Sequence, residues 1–272
     1  MTTHLVVKDD LFKYSDYLCF MDPILQYLLL VLIGFVVGFI NTIAGGGSLL
    51  SLPFLIFMGL PPAVANGTNR VAIVIQTLMA TLGFRSKGVS TFPFNTYIGI
   101  SAVLGALIGA KIAVEIDEGL FNKVLSIIML VVMMIIIFKP DINLKEKAER
   151  LTGRYLWQGV VVFFFLGIYG GFINAGIGFL IILYLHYAHH INLVRTNATK
   201  VFVVLLYSLA ALVVFIFNDK VDFKIGLILA LGNASGAWIS SRLSVKKGDG
   251  FIRKFLIVMI GVLAIKLWFF QT

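Results

Sequence analysis

Residues 38–48 read GFINTIAGGGS, and residues 171–178 read GFINAGIG. Each stretch interrupts a long apolar run with one asparagine and a set of glycines. The surrounding runs, such as residues 24–44 and 124–138, are dominated by aliphatic and aromatic side chains. A helix of about 20 such residues matches the roughly 30 Å hydrocarbon core of a bilayer. The chain has 272 residues, 60% hydrophobic and 13% charged, with a mean hydropathy of +1.00. Soluble domains hold about 45–50% apolar and about 25% charged residues, so this excess does not fit a soluble core. Membrane β-strands alternate in segments of about ten residues, and these runs do not. The fold class read from the sequence is therefore an all-α polytopic membrane protein.

Working outward from the two interruptions gives ten apolar segments. They lie at about 23–44, 48–58, 66–84, 94–114 and 120–138, then 155–175, 177–188, 197–217, 223–241 and 251–270. A polar tail, 1–22, precedes the first repeat, 23–138. A charged linker, 139–154, read as cytoplasmic, separates it from the second repeat, 155–272. The halves match in order: Gly38–Asn41 with Gly171–Asn174, Asn66-Gly67-Thr68 with Asn197-Ala198-Thr199, and Gly105/Gly109 with Gly232/Gly236. The offsets fall from 133 to 131 to 127, as expected for a duplication that has lost a few residues.

Charge orients the halves. If the short second and seventh segments cross, the basic connections at 85–87, 139–154, 191–195 and 242–254 share one side, and the acidic turn at 115–118 lies opposite. If they are re-entrant, eight spans remain and the basic connections split. The first arrangement gives five crossings per unit and so two inverted repeats, with a site at their interface.

The net charge of +9 sits in these connections, so the expected partners are the bilayer and a small anion, not nucleic acid. The single cysteine, Cys19, excludes an intramolecular disulfide and a cysteine-based metal cluster. No basic region precedes an apolar core near the start, where Asp9, Asp10, Asp16 and Asp22 lie, so no signal peptide is read. No cofactor is expected, and homo-oligomerisation is left open.

The glycine breaks can be tight turns chosen for close packing. They can equally expose backbone N–H groups at a helix start, where the helix dipole favours an anion. Gly45, Gly46, Gly47 and Ser48 would act this way in the first half and Gly176 in the second. Asn41 and Asn174 can brace the broken helix or donate to a ligand. Asn66, Thr68 and Asn69, like Asn197 and Thr199, stand at a helix start and read as caps. Arg70 and Lys200 enter apolar helices, where a charge is costly. They either snorkel to the interface or supply positive potential near a site. The GxxxG pairs read as packing faces. His186, His189 and His190 lack metal-ligand spacing with acidic partners and read as interfacial. No carboxylate sits in the middle of an apolar segment, and no protease or P-loop motif occurs, which disfavours cation pathways and enzymes.

The block GFINTIAGGGSLLSLPFLIFMGLPPAVANGTNRVA resembles the first signature of the sulfite exporter TauE/SafE family, also called the toluene sulfonate uptake permease family. GGFINAGIGF with RTNATK resembles the second. The resemblance implies a transporter of sulfite, sulfonates or related sulfur-containing anions in a cell (inner) membrane. It supports Asn41, Gly45 to Gly47, Asn66 to Arg70, Asn174 and Thr199 as signature positions. With Phe179 in place of a third small residue, the second half looks the poorer nest. The expectation is an anion transporter working by alternating access of the two repeats, and not an enzyme. A passive anion channel is the alternative, ahead of an intramembrane enzyme or a scaffold.

Overall fold

The computed structural model describes residues 23–137 and 148–269. The tail at 1–22, Cys19 and most of the 139–154 linker lie outside these residues. The described chain is helical and has no strand. Helix α1 is Pro23–Ile43, α2 Ser48–Phe57, α3 Pro62–Arg85, α4 Phe94–Glu115 and α5 Glu118–Ile137. The second half contributes α6 Arg154–Phe172, α7 Ile177–His189, α8 Leu193–Phe217 and α9 Phe223–Phe269. Five helices are long and apolar enough to span a membrane: α1, α4, α6, α8 and the part of α9 up to Leu256. At about 1.5 Å per residue, the 10 residues of α2 and 13 of α7 cover only about 15 and 20 Å. Neither alone spans the core.

The polarity of the molecule is that of a membrane protein. Leu28, Leu32, Leu104, Phe165, Phe217 and Leu231 point outward, while amides, hydroxyls, one arginine and one lysine are buried inside. Helices apolar on their outer face and polar where they meet suit lipid as the surrounding solvent.

Three sequence expectations are corrected. The first asparagine–threonine motif does not cap its helix. Pro61 and Pro62 start α3 four residues earlier than read, with proline in the first turn, where its missing N–H costs nothing. In the second half Asn192, not Asn197, is the cap, and its side chain accepts from Arg195 N at 2.9 Å. Both motifs therefore lie on the inner faces of helices. The connection expected at 242–254 is helical apart from Gly248, whose φ of 71° only glycine adopts without strain.

Glycines set the helix pairing. A side chain added at Gly105 or Gly109 of α4 would strike the carbonyls of Phe164 or Ile168 of α6. One at Gly232 or Gly236 of α9 would strike those of Val31 or Phe35 of α1. The reverse contacts match: Gly167 and Gly171 lie on Ala102 and Ala106, and Gly34 and Gly38 on Leu229 and Asn233. Every residue in one set maps onto the other through the offsets of 133 and 127 read from the sequence. Residue numbers rise together in both pairs, so α1 runs parallel to α9 and α4 parallel to α6. Gly226 against Val71 and Gly83 against Ser241 make α3 parallel to α9 as well. Helices α1 and α3 thus run in the same direction, and the short α2 must turn back between them.

Candidate functional site

The two interruptions meet. Gly45, at φ 83°, packs its backbone on Gly178, the position equivalent to it in the second half. Gly46 lies under the ring of Phe179, and Gly47 lies against Val37 O and Asn41 Cβ. No side chain larger than hydrogen fits at these positions without moving a neighbour. Phe179 therefore closes over the first break, where the sequence reading saw only a missing small residue.

The start of α2 leaves donors free. Leu49 N, Leu50 N and Ser51 N bond to the carbonyls of Gly46 and Gly47, but the N–H groups of Gly46, Gly47 and Ser48 meet no backbone acceptor among the described residues. The same holds for residues 174–178, where Gly176 is left-handed at φ 74° and precedes α7. Two helix N-termini therefore bring unpaired N–H groups to one place, a geometry that favours negative charge.

Polar side chains surround them. Asn41 Nδ2 donates to Gln76 Oε1 at 3.3 Å, and Asn233 Nδ2 donates to the same oxygen at 3.2 Å. Across the site Asn174 Nδ2 donates to Ser48 Oγ at 3.3 Å, and Tyr207 Oη donates to Asn174 Oδ1 at 2.6 Å. Gln76 and Tyr207 are equivalent positions, 131 residues apart. Asn41, Ser48, Gln76, Asn174, Tyr207 and Asn233 are all buried. Tyr169 Oη reaches Ala175 O and steadies the second break. Gln76, Tyr169, Tyr207 and Asn233 were missed by the sequence reading. The offset of 131 that pairs Asn66 with Asn197 also pairs Gln76 with Tyr207, and an isolated glutamine in an apolar run was the available signal.

The buried cations do not snorkel. Arg70 is 0% exposed and Lys200 2%. Lys200 Nζ donates to Asn41 O at 3.1 Å, Thr42 O at 2.9 Å and Asn197 Oδ1 at 2.8 Å. An ammonium has three donors, so all are used. Arg70 Nη2 donates to Gly170 O at 3.0 Å and to Gly171 O. Among the described residues its Nε and Nη1 have no hydrogen-bond partner, and its guanidinium lies 4.9 Å from the Phe215 ring centroid. Each cation thus holds the C-terminal carbonyls of the broken helix in the opposite half, where the helix dipole favours positive charge. Asn66 and Asn197 assist, donating to Phe172 O at 2.8 Å and Ile43 O at 3.0 Å.

The remaining predicted residues lie elsewhere. Thr68 Oγ1 accepts from Asp222 N at 2.9 Å, beside the α8–α9 connection. Thr199 Oγ1 meets Thr91 Oγ1, beside the α3–α4 connection. Asn69 is buried, and its Oδ1 has no hydrogen-bond partner among the described residues. His189, the last residue of α7, is buried, with Nδ1 2.7 Å from Arg150 O and its ring against Phe94 and Tyr184. Among the described residues no three of His, Cys, Asp and Glu come together where they could hold a metal ion.

A multi-pass helical protein with two broken helices meeting among buried donors has the construction of a membrane transporter. Residues 30–267 match the model of the family described as sulfite exporter TauE/SafE, and the chain belongs to that family. It is 30% identical over 243 residues to a probable membrane transporter protein of Haemophilus influenzae, covering 89% of this chain and 94% of that one. It is 27% identical over 239 residues to the probable membrane transporter protein YfcA of Escherichia coli K12, covering 88% of each. A probable membrane transporter protein, ORF9, of a Sinorhizobium species is 26% identical over 233 residues, covering 86% of this chain and 88% of that one. No solved structure matches the chain.

Proposed function

We propose that this protein is a secondary transporter of small anions, with sulfite or an organosulfonate as substrate. The observation that carries the reading is the pair of buried helix N-termini whose N–H groups, at Gly46, Gly47 and Ser48 in one and at 174–178 in the other, meet no backbone acceptor among the described residues. Asn41 and Asn174 flank them, and Arg70 keeps two free donor atoms. In a low-dielectric interior these donors replace the water that a sulfonate or sulfite loses on entry. Arg70 is the counter-charge. Lys200, with every donor occupied, holds the end of α1. The proposal assigns no enzymatic activity.

The parallel α1/α9 and α4/α6 pairs, with the short α3–α4 connection, support halves inverted in the membrane. Asn41, Ser48, Asn174 and Arg70 are all buried, which fits an occluded state from which the site opens to either side.

The test is sulfite flux into proteoliposomes. The Asn41→Ala/Asn174→Ala pair should lose transport while still eluting as a folded, monodisperse peak, with melting lowered by the buried hydrogen bonds it removes. A folded double variant with parental flux overturns the site. Parental protein that moves none of sulfite, sulfate, thiosulfate, taurine or sulfoacetate overturns the function. A dependence of uphill uptake on a pH gradient separates a coupled transporter from a passive channel.

A further inference from the structure

Among the described residues, the most extensive helix–helix interfaces are α4 with α6, α1 with α9, α3 with α9, α4 with α8 and α3 with α8. Each joins a helix of the first sequence half to one of the second. Contacts within a half are slight by comparison. A rocking of one repeat against the other would open all five major interfaces at once, which close-packed interiors resist.

We propose that the moving bodies are two intertwined three-helix units, one of α1, α3 and α9 and the other of α4, α6 and α8. The inference rests on the transport reading above and replaces rocking of the sequence repeats as its mechanics. Four of the five major interfaces lie inside these units, and only α3 with α8 lies between them.

Glycine contacts set the register inside the units, where the Asn41–Gln76–Asn233 bonds also join α1, α3 and α9. Inside the units, backbones touch through glycine at Gly38 on Asn233 and Gly171 on Ala106, and Gly83 takes the side chain of Ser241. Small-residue contacts of this kind fix helices in register, because a sliding helix would drive a side chain into the facing carbonyl. Between the units, polar side chains reach across. Asn66 and Arg70 leave α3 for the end of α6, and Asn197 and Lys200 leave α8 for the end of α1. Long side chains on backbone carbonyls can exchange one carbonyl for the next as the bodies shift. The breaks themselves meet on this seam, at Gly45 and Gly178. The connections at 86–93 and 218–222 join the units and occupy equivalent places in the two halves.

Four exposed positions related by the offsets test this: Leu25, Ile112, Gln158 and Ile239. In a Cys19→Ser background each is changed to cysteine and spin-labelled in pairs, in lipid nanodiscs with and without sodium sulfite. Pulsed electron paramagnetic resonance then reads the distances. The 25/239 pair lies inside one unit and 112/158 inside the other. The 25/112 and 158/239 pairs each lie inside one sequence repeat but across units.

The expected result is a narrow, sulfite-independent distribution for 25/239 and 112/158. The 25/112 and 158/239 pairs should give a broad, bimodal or sulfite-shifted distribution, displaced by more than the width of the first two. The reverse pattern overturns the proposal, and so do four narrow, unresponsive distributions. Sulfite flux through the same labelled protein is measured in parallel. Flux with the wrong distance pattern rejects the units alone. The expected pattern in ligand-free nanodiscs without flux of any tested anion rejects the anion-transport reading alone.

Discussion

Arg70 and Lys200 are both buried cations on helix ends, yet their free valences differ. Lys200 has none left, while Arg70 keeps Nε and Nη1. Lys200→Met should therefore cost mainly stability. It strands the carbonyls of Asn41 and Thr42, and the loss should be about 2 kcal/mol, read by thermal or denaturant unfolding in detergent. The variant should still bind sulfite at temperatures where it stays folded. Arg70→Lys should behave in the opposite way. A lysine can keep the bonds to Gly170 and Gly171 but cannot present the side donors of a guanidinium. One charge-assisted hydrogen bond contributes about 1.5–3 kcal/mol. Sulfite affinity in a binding titration should therefore fall roughly 10- to 100-fold, with little change in melting. Tyr207→Phe removes only the hydroxyl that orients Asn174. At about 1 kcal/mol for a neutral bond, the apparent affinity should drop roughly fivefold.

At the scale of the element, the broken helices decide both packing and chemistry. The α1/α9 and α4/α6 pairs leave no room for a side chain at Gly38 or Gly171, whose neighbours there are the backbones of Asn233 and Ala106. Gly38→Leu or Gly171→Leu should abolish the folded monodisperse peak in size-exclusion chromatography, because backbone cannot rotate away as a side chain can. Gly88 makes a useful contrast. It is left-handed at φ 74°, with nothing near it. Gly88→Ala should cost only about 1 kcal/mol in strain and leave the elution profile unchanged. Gly105, Gly109, Gly232 and Gly236, on the facing helices, were legible in the sequence as packing faces. The partners themselves were not legible, since a GxxxG spacing states that a helix is approached closely without stating by what.

At the scale of the molecule, the helix directions arrange the connections in two sets. Because α3 runs parallel to α9, Lys87 after α3 and Lys247 near Gly248 fall at one end. Asp219 before α9 and Glu118 after α4 fall at the other. In a Cys19→Ser background, Lys87→Cys and Lys247→Cys should label with an impermeant maleimide from one face of sealed vesicles. Glu118→Cys and Asp219→Cys should label only from the opposite face. Labelling of Lys87→Cys and Asp219→Cys from the same face would refute the arrangement.

By itself, the sequence determined the solvent, the secondary structure class and a set of matched motifs in its two halves. Apolar runs of bilayer length exclude a soluble core, and a repeated GFIN with matched glycines needs no coordinates to be seen. It also determined that polar groups sit where helices break, since Asn41 and Asn174 stand beside the glycines in both halves. Tertiary structure alone decided which groups they bond to. Whether a buried lysine serves a ligand or a helix end depends on which carbonyls come within 3 Å of it. Those carbonyls belong to residues 158 and 159 positions away for Lys200, and 100 and 101 away for Arg70. Local pattern reports periodicity along one helix, whereas the partners of a polar group in a membrane interior are set by which distant helices close over it.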